Sequence, residues 1–179
     1  MKKLLLAAAL FIISFAGYSQ KGNNQIGVGA DIGIPTGDLG TLANVGFGGY
    51  LKLLYGVGNA GQLTFTSGYS IFKVKDEFRN AAGVDKLNYR ILPLLLGYRH
   101  NLNGFYIEPQ LGYSVHSAKA TVGSVSATNS DGAFTWGGGI GAAVKGGFDF
   151  GVRYLSATKD GDAVSWVSIH VGYNFSLKK

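Results

Sequence analysis

The sequence has no cysteine, three prolines, one methionine and few charges, only 15% of its 179 residues. Without cysteine there is no disulfide framework and no thiolate nucleophile, so stability must come from backbone pairing and packing. No apolar run is long enough to cross a bilayer as a helix: the longest, Leu4 to Ala16, falls short of the roughly 20 residues that about 30 Å of hydrocarbon requires. In place of these features there are 29 glycines and 13% aromatic residues. That composition makes poor helices, each interior Gly costing about 1 kcal/mol against Ala, and suits a sheet that closes tightly on itself.

The first residues read as an export signal. Lys2 and Lys3 precede the apolar run, and Gly17 and Ser19 occupy the small positions of a cleavage site between Ser19 and Gln20. The expected division is a removed signal peptide at 1–19 and one domain at 20–179. No cysteine follows the run to carry a lipid anchor. With Lys2 and Lys3 gone, the excess of basic over acidic residues is modest and does not point to nucleic acid.

Beyond Gln20, period-two alternation recurs in eight segments separated by Gly, Asn, Asp and Ser clusters. Ile26, Val28, Ala30, Ile32 and Ile34 oppose Gly27, Gly29, Asp31 and Gly33 in the first segment. Phe105, Ile107, Leu111, Tyr113 and Val115 oppose Tyr106, Glu108, Gln110 and His116 in the fifth. The fourth, about Leu87 to His100, is irregular because Ile91 to Leu96 is apolar on both faces, and Pro93 predicts an edge or bulge there. Long and short connections alternate, with loops at 75–86 and 117–132 and short turns between them. This is the layout of an all-β, eight-stranded antiparallel up-and-down transmembrane β-barrel, whose strands need about ten residues each to cross.

Periodicity alone does not say which face points inward, so a soluble barrel with an apolar interior is the alternative. The polar faces decide. They carry Gly, Ser and Thr with about one charge per strand, too thin for a water-facing surface that is usually about 25–35% charged. Phe134, Trp136, Tyr89 and Tyr154 fall near loop ends, and Tyr55, Phe105, Phe148, Tyr173 and Phe175 near turn ends, as two interfacial girdles would. Trp166 has the parity of the polar face and fits neither girdle.

The run from His170 through Leu177 resembles an outer-membrane assembly signal: His170, then Gly172, then the alternating hydrophobics Phe175 and Leu177. The stretch Asn88 to Tyr113, NYRILPLLLGYRHNLNGFYIEPQLGY, resembles the signature of the PorT-like outer-membrane β-barrel family, with Ile91-Leu92-Pro93 where that family usually has an acidic residue before Ile-Pro. The resemblance implies a non-enzymatic barrel of the bacterial outer membrane, surrounded by lipid and inserted by the barrel-assembly machinery through its C-terminal strand.

Inward parity gathers Asp31, Lys52, Arg90, Glu108, Asp149, Arg153 and His170. Three charges of each sign favour an interior plugged by salt bridges, with a gate or narrow pathway as the alternative, because ion-selective channels show rings of one sign. A lipid-modifying enzyme is the second alternative: Ser168 and His170 share a face, with Asp31 or Asp149 as orienter. His116 and Ser117 are adjacent and point to opposite faces. Three histidines on separate strands lack metal-ligand spacing, and no cofactor motif is present: Gly137, Gly139 and Ala142 match a dinucleotide fingerprint with no helix behind it. The 75–86 and 117–132 segments are the candidate sites for a surface partner, which a protruding edge would bind by strand addition, with solvated mobile loops the commoner outcome for such segments.

Overall fold

The computed structural model describes residues 24–177, so the segment expected to be the export signal lies outside the described residues. Eight strands follow one another around a closed barrel: β1 (Gln25–Thr36), β2 (Ala43–Val57), β3 (Gly61–Val74), β4 (Lys86–Leu102), β5 (Phe105–Val122), β6 (Val125–Ala143), β7 (Phe148–Lys159) and β8 (Asp162–Ser176). Each pairs antiparallel with the next. β1 closes on β8 in a continuous ladder from Gln25↔Ser176 to Thr36↔Ser165.

One end carries both strand termini and the tight turns. There β4 passes to β5 through Asn103 and Gly104, at φ 50° and 103°. Positive φ at both central residues makes a turn whose twist matches that of the strands it joins, which is why an Asn-Gly pair stands there. The other, outer end differs from expectation. Only two of its connections are longer, and each carries a short helix, α1 (Gly37–Leu42) and α2 (Asp76–Ala81). The predicted 117–132 loop is strand: β5 and β6 run on, 18 and 19 residues long, to a hairpin at Gly123 and Ser124, with Ser117 facing Ser130 and Val122 facing Val125. The alternation visible through Val122 and Val125 is the sequence trace of that extension.

No edge exists for Pro93 to occupy. It sits within β4, paired with Ser114 of β5, and the β3 ladder is interrupted beside it between Ser67↔Leu94 and Ser70↔Ile91 without a change of register. Pro109 likewise coincides with an interruption on the β4 side of β5. A residue without an N–H is accommodated by leaving one side of the ladder open.

Large apolar side chains are exposed on the outside of every strand, Phe47 and Phe105 by about two-thirds. The inside has two layers. Toward the turn end it is polar and charged. Toward the outer end Phe72, Ile91, Leu95, Leu155 and Trp166 pack with Leu39, which α1 lowers into the barrel mouth. This apolar layer accounts for Ile91–Leu96: Leu92, Leu94 and Leu96 face out, while Ile91, Pro93 and Leu95 face in. It also accounts for the parity of Trp166, and Tyr89 leaves the girdle for the interior, where its hydroxyl meets His116 Nδ1 at 2.9 Å.

Candidate functional site: the charged interior

The polar layer is a continuous network. Glu108 of β5 accepts hydrogen bonds from Lys52 Nζ at 2.9 Å, Arg99 Nε at 3.1 Å, Thr64 Oγ1 at 2.8 Å and Gln110 Nε2 at 2.9 Å. Asp149 of β7 accepts from Arg99 at 2.6 Å, the Tyr106 hydroxyl at 2.6 Å and Asn174 at 2.9 Å. Arg99 of β4 therefore ties carboxylates from β5 and β7, its guanidinium lying 3.6 Å from the centre of the Tyr106 ring. One level up, Arg153 holds Asp31 at 3.0 Å, and Ser70 adds a bond at 3.2 Å.

Strand register sets these meetings. Asp31, His170 and Gly151 are direct partners across β1, β8 and β7. That places His170 near both charged groups: its Nε2 lies 3.3 Å from Asp149 Oδ1 and 3.1 Å from the Tyr106 hydroxyl, and its ring meets Tyr50 edge-on at 5.6 Å. Glycines make the room. A Cβ at Gly29 would stand 2.6 Å from the Tyr50 ring, and one at Gly172 or Gly141 would strike the Tyr50 or Tyr106 hydroxyl. Gly33 and Gly46 do the same for Phe72 in the apolar layer, each 2.6 Å from its ring.

Six of the seven residues expected inside are brought together: Asp31, Lys52, Glu108, Asp149, Arg153 and His170, all buried. Arg90 is not among them. It pairs with Ile71 and Ser117 on the outward face, because the apolar stretch after it hides the phase of β4. Arg99, 1% exposed, takes its place and keeps three charges of each sign. Sequence reasoning missed it for the same reason, although its parity with Leu95 and Ile91 is fixed once that face is known to be inside. Ser168 is buried on the same face as His170, whose Nε2 contacts are Tyr106 and Asp149. At the C-terminal end Gly172 lies inside against Tyr50, while Phe175 and Leu177 are exposed outside.

Outside the membrane-spanning part, β6 and β7 begin to pair only at Phe134↔Thr158, so the β7-facing edge of Val125–Ala133 has no strand beside it. Lys159 bonds Asp131 across the root of this gap and, with the Gly132 amide, holds that carboxyl below its usual range.

An apolar exterior on every strand, around a closed ladder with a charge-paired interior, defines an integral membrane β-barrel, since closure alone satisfies every backbone group in hydrocarbon. The chain belongs to the outer membrane protein beta-barrel domain family, whose model matches residues 4–175. Its place is therefore the bacterial outer membrane, in contact with lipid. No curated protein matches it. Among solved structures it is similar to Ail, the attachment invasion locus protein of Yersinia pestis, at 16% identity and TM-score 0.64 over 87% of this chain and all of that one. It is similar to the N-terminal β-barrel domain of Pseudomonas aeruginosa OprF, at 12% and 0.62 with the same coverage, and to neisserial surface protein A, at 15% and 0.58 over 87% and 97%. Such identities show the shared fold. Ail is also matched in complex with the heparin analogue sucrose octasulfate, at 17% identity and TM-score 0.65.

Proposed function

We propose that this protein is a non-enzymatic outer-membrane barrel whose interior is closed to solutes and whose outer extension docks partner molecules. The carrying observation is the Lys52–Glu108–Arg99–Asp149 chain, which crosses the lumen with every charge countered. The apolar layer of Phe72, Leu95, Leu155 and Trp166 lies above it. A pore needs a wetted path and an ion-selective one shows rings of one sign; neither layer offers these. Catalysis at Ser168 and His170 has little support: Nε2 of His170 is engaged by Tyr106 and Asp149, and both residues lie inside the closed wall.

The docking element is the unpaired edge of β6 over 125–133. Exposed, extended and free of Lys and Pro, it suits an extended segment of a partner protein added as a further strand. The 75–86 segment with α2 leans on the other side of the same hairpin, where the Asp85 amide donates to Thr121 O and the Asp85 carboxylate accepts from the Gly123 amide. That Ail, with the same fold, is by name an attachment invasion locus protein supports reading the outer end as the functional one. The Asn88–Tyr113 signature, which forms the β4–β5 hairpin, supports placing the chain in the PorT-like branch. Residues 1–19 act as the removed signal, and His170, Gly172, Phe175 and Leu177 present the last strand to the assembly machinery.

The test uses refolded mature protein in liposomes loaded with a small sugar. The reading expects sugar retained as in protein-free liposomes and no fatty acid released. Sugar loss altered by Arg153→Ala would establish a pore, and fatty-acid release abolished by Ser168→Ala would establish an enzyme.

A further inference from the structure

The outward apolar columns of three adjacent strands end in cations at the outer rim. On β3, Phe65, Tyr69 and Ile71 give way to Lys73. On β4, Leu96, Leu94 and Leu92 give way to Arg90, and on β5, Leu111, Tyr113 and Val115 give way to Ser117 and Lys119. Register aligns them: Lys73 stands opposite Asn88 and Asn88 opposite Lys119, with Arg90 one row lower between Ile71 and Ser117. Strands about 4.8 Å apart and rows about 7 Å apart confine the three charges to a patch about 10 Å across. Lys86, opposite Thr121, extends it by one row outward.

None of these four cations has an acidic partner among the described residues. The nearby acids are engaged elsewhere: Asp76 by Arg79 at 2.8 Å, Asp85 by the Gly123 amide at 2.6 Å and Asp131 by Lys159. Glu77, on α2, forms no ion pair with them. Arg90 Nε is buried with no hydrogen-bond acceptor. The rest of the rim differs. Above Ile34, Phe134 and Val167 the outward columns of β1, β6 and β8 continue as Thr36, as Gly132 and Ser130, and as Ser165. Among the described strand residues of this rim, positive charge without counter-charge is thus confined to β3–β5, directly above the lipid-facing belt, while Lys75, just past β3, donates to the Gly40 carbonyl at 2.9 Å.

We propose that this face binds the phosphate groups of a phosphorylated glycolipid of the outer leaflet. Arg90 supplies a planar fork for two phosphate oxygens, and Lys73 and Lys119 supply point charges on either side. The acyl chains lie along Ile71, Leu92 and Val115. A lipid headgroup fits better than a soluble polyanion because outward parity aims these side chains along the bilayer surface, where long cationic side chains keep their stems in apolar surroundings and their heads among headgroups. The proposal rests on the outward face meeting lipid, which belongs to the fold and is independent of whether the lumen is closed.

The experiment compares refolded mature protein with the triple variant Lys73→Gln/Arg90→Gln/Lys119→Gln in detergent micelles. Bisphosphorylated or dephosphorylated lipid A is added, and bound lipid is counted by native mass spectrometry. The wild type is expected to retain the phosphorylated form at least tenfold better than the dephosphorylated one, and the triple variant to lose that preference. Lys145→Gln, at the opposite end, is expected to keep it. Equal retention of both lipids by the wild type, or an undiminished preference in the triple variant, would overturn the proposal. So would displacement by inorganic phosphate at concentrations comparable to the lipid, which would mark a free-phosphate site. Heat-modifiable gel migration reports folding separately: its absence from the wild type counts against the barrel, and if only the triple variant lacks it, Arg90→Gln alone is held to the same criterion with a threefold loss.

Discussion

Arg99 joins carboxylates from two different strands and stacks on a third group, Tyr106, so its removal leaves Glu108 and Asp149 each short of a cation in a low-dielectric interior. Stripping one member from such a buried set costs about 3–5 kcal/mol. Arg99→Ala is therefore expected to lower the temperature at which the folded, fast-migrating gel form disappears, whereas Arg90→Ala, on the outer rim, should change stability by no more than about 0.5 kcal/mol. Equal losses from the two would mean that the phase of β4 is wrong. At this scale the sequence was largely legible. Parity put six interior residues on the right face because each lies in a strand with clean alternation. It failed for Arg90 and Arg99 because the strand between them lines an apolar layer inside and lipid outside, and two apolar faces carry no phase. Trp166 was a signal of that layer, a large apolar residue with polar-face parity. Buried at 2% exposure beside Leu155 and Ala157, it should cost about 3–5 kcal/mol as Trp166→Ala, read by the same migration assay.

Among the elements, the strand cores were predictable and the outer ends were not. Hydrophobic alternation marks where a strand crosses lipid and stops marking it where both faces meet water. β5 and β6 therefore continue past the belt on Ser, Thr and Ala residues that look like loop, and only the spacing of Val122 and Val125 hints at pairing. The helices α1 and α2 are too short for helical periodicity to be visible. The consequence for dynamics is specific. Amides of Val125–Ala133 that point away from β5 have no acceptor on β7, because that ladder starts at Phe134. Hydrogen exchange is expected to be fast at alternate residues of this segment and slow throughout Phe134–Ala143, where both sides are paired. A partner that adds a strand would protect those alternate amides. Uniform protection over 125–133 in the isolated protein would show that the edge is already covered.

At the level of the whole molecule, closure makes the interior a sealed compartment whose contents must balance. Three carboxylates against Lys52, Arg99 and Arg153 leave the polar layer neutral, and the apolar layer bars the outer mouth. The number of strands, their order and their direction were legible from turn chemistry and alternation. The two-layered filling was not, because it depends on which residues of distant strands share a level, and register is a property of the closed barrel. The most direct test of that filling is the single-channel conductance of refolded mature protein in planar bilayers, with heat-modifiable migration as proof of folding and Arg153→Ala beside it. A closed interior predicts silence from folded wild-type protein. Steady conductance that Arg153→Ala alters would contradict it and make the charged interior a transport path.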